Sequence, residues 1–230
     1  MKRHYFIGQF NWSDEAIECL DTEIIHQIKD VLKIKVGEEM VLGDGLGRAA
    51  VATLKQINKN SLDFSVVNIL PEKKEDKRVV LYAALLKRDS FEWLLQKAVE
   101  AGADEIVPLV SERTVKVGFN EKRWQKIIKE AAEQSQRHTL QILRPIQNFK
   151  EALNAAKGEV LFFDPSGDRL DNVEIKDKIM SAFIGPEGGW TENEIQMVKD
   201  QKAKMINLGD NILRGETAGV VATYLAKNIF

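Results

Sequence analysis

The chain has 230 residues, 33 Lys and Arg against 35 Asp and Glu for a net charge of −2, and 44% hydrophobic content. That length predicts one large domain or two unequal ones, with enough core to fold without disulfides. One cysteine, Cys19, excludes an intrachain disulfide and a cysteine-based zinc site; no window is apolar enough to cross a membrane, and the start lacks a secretory signal, so a cytoplasmic address is expected. The near-neutral total by itself argues against a nucleic-acid partner.

Residues 14–31 place Ile17, Leu20, Ile24 or Ile25, and Ile28 at helical spacing, so a helix is expected there, Cys19 included. Short apolar runs around Met40–Leu42, 49–57 and 62–66 follow, separated by the glycine-rich stretch 43–47 and by Asn58-Lys59-Asn60-Ser61. This is the pattern of hairpins in a small sheet or barrel occupying residues 1–70. Residues 71–78 carry no apolar side chain and read as an interdomain linker. From Val79 a continuous apolar run to Leu86 predicts a strand covered on both faces. Asp89 with Glu92 reads as a capping box opening a helix that Gly102 ends. Strands are expected over 106–110, 160–163, 179–184 and 204–208, and helices over 121–135, from a second capping box at Thr191 and Glu194, and over 216–226. Strands alternating with helices predict an α/β domain with a mostly parallel sheet over 79–230.

The charge is uneven. Residues 71–150 hold 16 basic and 12 acidic side chains, while the first 70 and the last 80 residues are both net acidic. A local basic surplus is the weak signature of a polyanion site, or merely a solvated face. Three features follow strands of the α/β half, where open sheets of this class bind ligands. Gly185-Pro186-Glu187-Gly188-Gly189-Trp190 lets backbone approach a ligand closely, although a tight strand-to-helix turn has the same composition. It matches neither a P-loop nor the dinucleotide fingerprint. The stretch 208–218 sets Ile212 and Leu213 before Arg214, Gly215 and Glu216 at a helix start; Glu216 could serve the helix dipole and Arg214 could pair with it. The third feature is a set of arginines, Arg88, Arg113 and Arg137, suited to bidentate phosphate contact. His4, His26 and His138 have no metal-ligand spacing, and no G-x-S-x-G elbow is present.

Together these segments resemble the RsmE family of bacterial 16S ribosomal RNA uridine-N3 methyltransferases, within the SPOUT superfamily. The matching stretches are Arg3-His4-Tyr5-Phe6, residues 26–36, 91–100, 111–114, 134–137, 184–190 and 208–218, in the family's order. The pair Gly-Pro-Glu-Gly-Gly and Ile-Leu-Arg-x-Glu-Thr-Ala carries the most specificity. The family's Val-Leu-Arg stands here as Val31-Leu32-Lys33, and its proline a few residues after Arg137 is absent. The resemblance implies a PUA-like, RNA-binding β-barrel at residues 1–70 and a SPOUT domain at 79–230 with a deep trefoil knot. It further implies a homodimer, S-adenosylmethionine as cofactor, and methylation of a uridine N3 near the decoding centre of 16S RNA, free or in the small subunit. Under it, Ile184, Gly185, Pro186, Glu187, Gly188, Gly189, Leu208, Gly209, Ile212, Leu213, Thr217 and Ala218 would hold the cofactor. Arg214 and Glu216 would serve catalysis, and Arg3, Lys33, Arg88, Arg113 and Arg137 would contact RNA; no metal or membrane is implied. Alternatives are a SPOUT methyltransferase on another RNA atom or RNA, and a non-catalytic RNA-binding assembly factor.

Overall fold

A computed structural model describes residues 3–72, 76–115, 118, 120–170 and 173–229. The chain divides into two units, Met1–Lys74 with Ala132–Leu140, and Glu75–Ala131 with Gln141–Phe230. The expected linker at 71–78 coincides with the first crossing between them, although 73–75 lie outside the described residues. The return of Ala132–Leu140 to the first unit has no counterpart in the sequence pattern.

The first unit is a six-stranded sheet. Its strands are β1 (Tyr5–Ile7), β2 (Phe10–Trp12), β3 (Ala16–Cys19), β4 (Glu39–Gly43), β5 (Ala49–Ile57) and β6 (Leu62–Ile69). They lie in the order β1-β4-β5-β6-β3-β2, antiparallel except for β1 beside β4. Phe6, Ile17, Cys19, Met40, Leu42, Leu54 and Phe64 from five of these strands meet in one buried cluster, so the sheet curls around a single core. The helix expected over 14–31 forms only in its second half. Ile17 and Cys19 point inward on a strand, at the two-residue period of a sheet. Asp21 then caps α1 (Thr22–His26), accepting from the Glu23 and Ile24 amides, and a wide turn over Gln27–Val31 closes with Leu32 N–H donating to Gln27 O. The segment 132–140 completes this unit: Glu133 accepts from Ile7 N–H at 2.9 Å, and Gly47 and Leu140 amides bond across to His138 and Gly45 carbonyls.

The second unit is a parallel sheet of seven strands. These are β7 (Arg78–Ala84), β8 (Glu105–Val110), β9 (Ile142–Leu143), β10 (Gln147–Asn148), β11 (Glu159–Arg169), β12 (Ile179–Ile184) and β13 (Lys204–Asn207). The order is β10-β8-β7-β12-β11-β13, with β9 also on the β8 edge. That edge has a local cause. Pro108, in the middle of β8, has no N–H to give, and the neighbour is split into β9 beside Glu105 and Ile106 and β10 beside Leu109 and Val110.

Helices α2 (Arg88–Ala101), α3 (Glu121–Gln134), α4 (Phe149–Ala155), α5 (Glu192–Asp200) and α6 (Gly215–Asn228) follow in chain order, the last turn of α3 falling in the first unit. Leu94 lies where a Cβ on Gly219 would come within 2.5 Å of it, so glycine permits the close packing of α6 on α2. The capping box at Thr191 and Glu194 forms, whereas the one expected at Asp89 does not. Lys87 occupies that N-cap without a side-chain bond, and Glu92 turns instead to Arg123 at 2.6 Å and Arg88 at 3.3 Å.

Candidate active site

In a parallel sheet all strand ends of one sense share an edge, and the carboxyl ends of β7, β12, β11 and β13 are adjacent. The segments leaving them line one cleft of about 850 Å³. Lys87 and Ser90 come from the end of β7 and the start of α2, Phe163, Asp164 and Pro165 from β11, residues 184–187, 189 and 190 from the end of β12, and residues 206–216 with Ala218 from the end of β13.

The two loops marked in the sequence therefore meet. The first is folded over its own tryptophan. Trp190 is buried, its Nε1 donates to Phe163 O at 3.2 Å, and its ring lies where a Cβ on Gly185 would come within 3.0 Å. Gly189 adopts φ +68 and donates to Pro186 O at 2.9 Å, closing the turn, and Lys87 N–H donates to Glu187 at 3.1 Å. The second loop turns at Gly209, φ +132, whose N–H is held by Asn207 at 2.9 Å; Asn207 in turn donates to Pro165 O at 3.0 Å. A Cβ on Gly215 would lie 2.9 Å from Leu86 and 3.5 Å from Gly185 O, so a glycine here brings the second loop against the first.

Of the expected cofactor residues, Ile184, Gly185, Pro186, Glu187, Gly189, Leu208, Gly209, Ile212, Leu213 and Ala218 line the cleft, as do Arg214 and Glu216. Gly188 and Thr217 do not; Gly188 is turned toward Arg113. Arg214 is the N-cap residue of α6 with its side chain 87% exposed, 4.0 Å from the 14% exposed carboxylate of Glu216. A largely shielded carboxylate at the far end of ion-pair range from a solvent-facing guanidinium leaves the cation able to turn toward an incoming group. Ile212 is 89% exposed, an apolar side chain held in solvent at the mouth of the cleft. Sequence reasoning missed Ser90 and the 163–165 segment as cleft residues, because nothing in their local pattern marks them, and it marked Lys87 only as part of the basic run 87–89.

The five residues expected to contact RNA divide between the units. Arg3, Lys33 and Arg137 belong to the first: Arg3 forks onto Glu39 at 2.7 and 3.0 Å, and exposed Lys33 sits at φ +53. Arg88 and Arg113 belong to the second, and the Arg113 guanidinium is bound to loop carbonyls rather than extended into solvent alone. Among the described residues no group of three or more His, Cys, Asp or Glu is arranged to hold a metal ion, and no helix is long and apolar enough to cross a membrane.

A family model described as an RNA methyltransferase domain matches residues 73–227, and one described as an RNA methyltransferase PUA domain matches residues 20–67. The chain belongs to the RNA methyltransferase family. Two relatives of this methyltransferase are proteins named ribosomal RNA small subunit methyltransferase E. One, from Synechocystis, is 32% identical over 90% of this chain and 72% of its own length; the other, from Bacillus subtilis, is 30% identical over 87% and 85%. A solved structure of a ribosomal RNA small subunit methyltransferase E from Neisseria gonorrhoeae, bound to S-adenosyl methionine, is 29% identical and superposes with a TM-score of 0.88 over 96% of this chain and 95% of its own. The methyltransferase is thus an α/β enzyme with a parallel sheet and a PUA-like domain.

Proposed function

We propose that this methyltransferase carries a methyl group from S-adenosylmethionine to N3 of a uridine near the decoding centre of 16S ribosomal RNA. The observation that carries the reading is the single cleft formed where the residue 185–190 and 208–216 loops meet at the carboxyl ends of β12 and β13. Its size is within the usual range for small-molecule sites, roughly 300–1,000 Å³. Its chemistry fits the cofactor. Gly185 and Gly209 open backbone to a planar adenine, Ile184, Leu208 and Leu213 supply the apolar slot, and Glu187 offers negative charge to a sulfonium. When bound, S-adenosylmethionine supplies an electrophilic methyl group.

The protein's task is then to make uridine N3 a nucleophile, which requires loss of its proton. Arg214, at the cleft mouth, stabilises the negative charge that develops on the uracil, and Glu216 orients that guanidinium or takes up the proton. Because N3 is on the pairing edge, the base must be unpaired to enter, which favours an irregular RNA segment. Residues 1–70 serve as an RNA-binding, PUA-like barrel joined through 71–78 to a SPOUT domain at 79–230 carrying a trefoil knot. Arg3, Lys33, Arg88 and Arg137 supply positive charge toward RNA phosphates, whereas the Arg113 guanidinium is taken up by the Gly188 and Trp190 carbonyls. The enzyme works in the cytoplasm as a homodimer.

Mass-spectrometric mapping of 16S RNA from a strain lacking this protein tests the reading. Loss of one N3-methyluridine at the decoding centre, restored by the gene, is expected. Persistence of that modification would overturn it.

A further inference from the structure

Behind the first cofactor loop lies a short turn that lines no part of the cleft. Residues 111–114 follow β8, closed by Ser111 N–H and Oγ on Thr114 Oγ1, both at 2.9 Å. Arg113 Nη1 from this turn donates to Gly188 O at 3.0 Å and to Trp190 O at 3.1 Å. Glu194, 2% exposed at the start of α5, accepts Glu112 N–H at 3.1 Å through one oxygen and Thr191 N–H at 2.9 Å through the other.

A peptide unit is planar, so fixing its carbonyl and its N–H fixes its plane. Two such units are held at both poles here. In the one joining Gly188 to Gly189, Arg113 holds the carbonyl while Pro186 O receives the N–H at 2.9 Å. In the one joining Trp190 to Thr191, Arg113 holds the carbonyl and Glu194 receives the N–H. These two held planes flank the Gly189–Trp190 peptide and restrict the backbone on both sides of it, and Trp190 is the residue whose ring packs over Gly185 and joins the loop to β11.

We propose that Arg113 and Glu194 are positioning residues that hold the 185–190 loop in its cofactor-binding shape. The assignment rests on the cleft being the S-adenosylmethionine site. It gives Arg113 a use distinct from gripping phosphate, and it makes cofactor affinity depend on groups outside the cleft, because a preorganised loop loses less entropy when it binds.

The test uses the full-length enzyme and its variants Arg113→Met and Arg113→Lys. Methionine keeps the stem packed on Gly188 but has no donor, whereas lysine keeps N–H donors on an unbranched chain. Calorimetric titration with S-adenosylmethionine, steady-state kinetics, and binding of a 16S RNA fragment across a salt series are read for each. In R113M the cofactor Kd and KM are expected to rise by about tenfold through removal of the shared donor. kcat should stay within about twofold and the RNA salt slope should match wild type. R113K should recover part of that affinity. Unchanged cofactor affinity in R113M with weaker, less salt-dependent RNA binding would overturn the proposal and make Arg113 a phosphate contact. If R113M does not fold, Glu194→Met decides, since a side chain of similar length with no oxygen acceptor frees the other pole of the same peptide: a raised KM for the cofactor with unaltered RNA binding supports the proposal, and an unaltered KM overturns it. Wild-type enzyme that shows no saturable cofactor binding would refute the functional reading itself.

Discussion

Arg214 and Glu216 stand at the start of α6, and their geometry separates the roles proposed for them. Glu216 is mostly buried and in the first turn, where a carboxylate complements the helix dipole; Arg214 precedes the helix and reaches solvent. A cation that acts on charge developing in the transition state lowers the barrier without tightening cofactor binding. Arg214→Ala should therefore reduce kcat on a ribosomal substrate by about a hundredfold while S-adenosylmethionine affinity stays within about threefold; undiminished turnover would remove the charge-stabilising role. Both residues stand out in the sequence as an Arg-Gly-Glu run at a helix start, but only the family resemblance gives them a catalytic reading; Gly185 is legible as a place of close approach. Arg113 is legible only as a basic residue. Its carbonyl partners lie 75 and 77 positions along the chain, and no local spacing encodes such a contact.

At the scale of elements, the edge of the parallel sheet is bound by charge as well as by backbone. Glu105 opens β8, and Arg78, which opens β7, and Arg144, which follows β9, both pair with it, Arg144 Nε at 2.6 Å. Burial pushes the Glu105 carboxyl upward, but bonds from Arg144 and Arg78 outweigh it and the net shift is below the ordinary 4.5. A carboxylate favoured in the folded state adds stability above about pH 4.5 that disappears as pH falls through its lowered folded value. Glu105→Gln should thus lower Tm at neutral pH, and its deficit against wild type should shrink on acidification. A Tm difference that is constant from neutral pH to about pH 3 would exclude this linkage. Most strands and helices are readable from period and punctuation. The error at residues 14–31 arises because Ile17, Leu20, Ile24 and Ile28 satisfy a helical spacing while Ile17 and Cys19 also satisfy a strand's, and pairing with β2 and β6 decides between them. The short strands β9 and β10 carry no periodic signal of their own; their break is set by Pro108 on the neighbouring strand.

For the whole molecule, a net charge of −2 hides a basic middle that does not behave as one patch. Arg78 and Arg144 answer Glu105, Arg88 and Arg123 answer Glu92, and the remaining candidates for RNA fall in different units. Lys33→Glu and Arg137→Glu should each weaken binding of a 16S fragment and reduce the slope of log K against log salt by roughly 0.7–0.9 for each phosphate no longer neutralised. Equal affinities for variant and wild type throughout a salt series would remove those side chains from the interface. The division between Lys74 and Glu75 falls in a run of charge, but the return of Ala132–Leu140 has no such mark, because a segment's allegiance is set by what it packs on rather than by its own composition. That return has a consequence for the order of events at synthesis. A ribosome delivers the chain from its amino end, and the first sheet emerges early, yet the glutamate that accepts the β1 amide and the segment that bonds to residues 45 and 47 are still untranslated. The N-terminal unit can reach its finished form only after residue 140 has left the exit tunnel, and five of the seven strands of the parallel sheet lie beyond that residue.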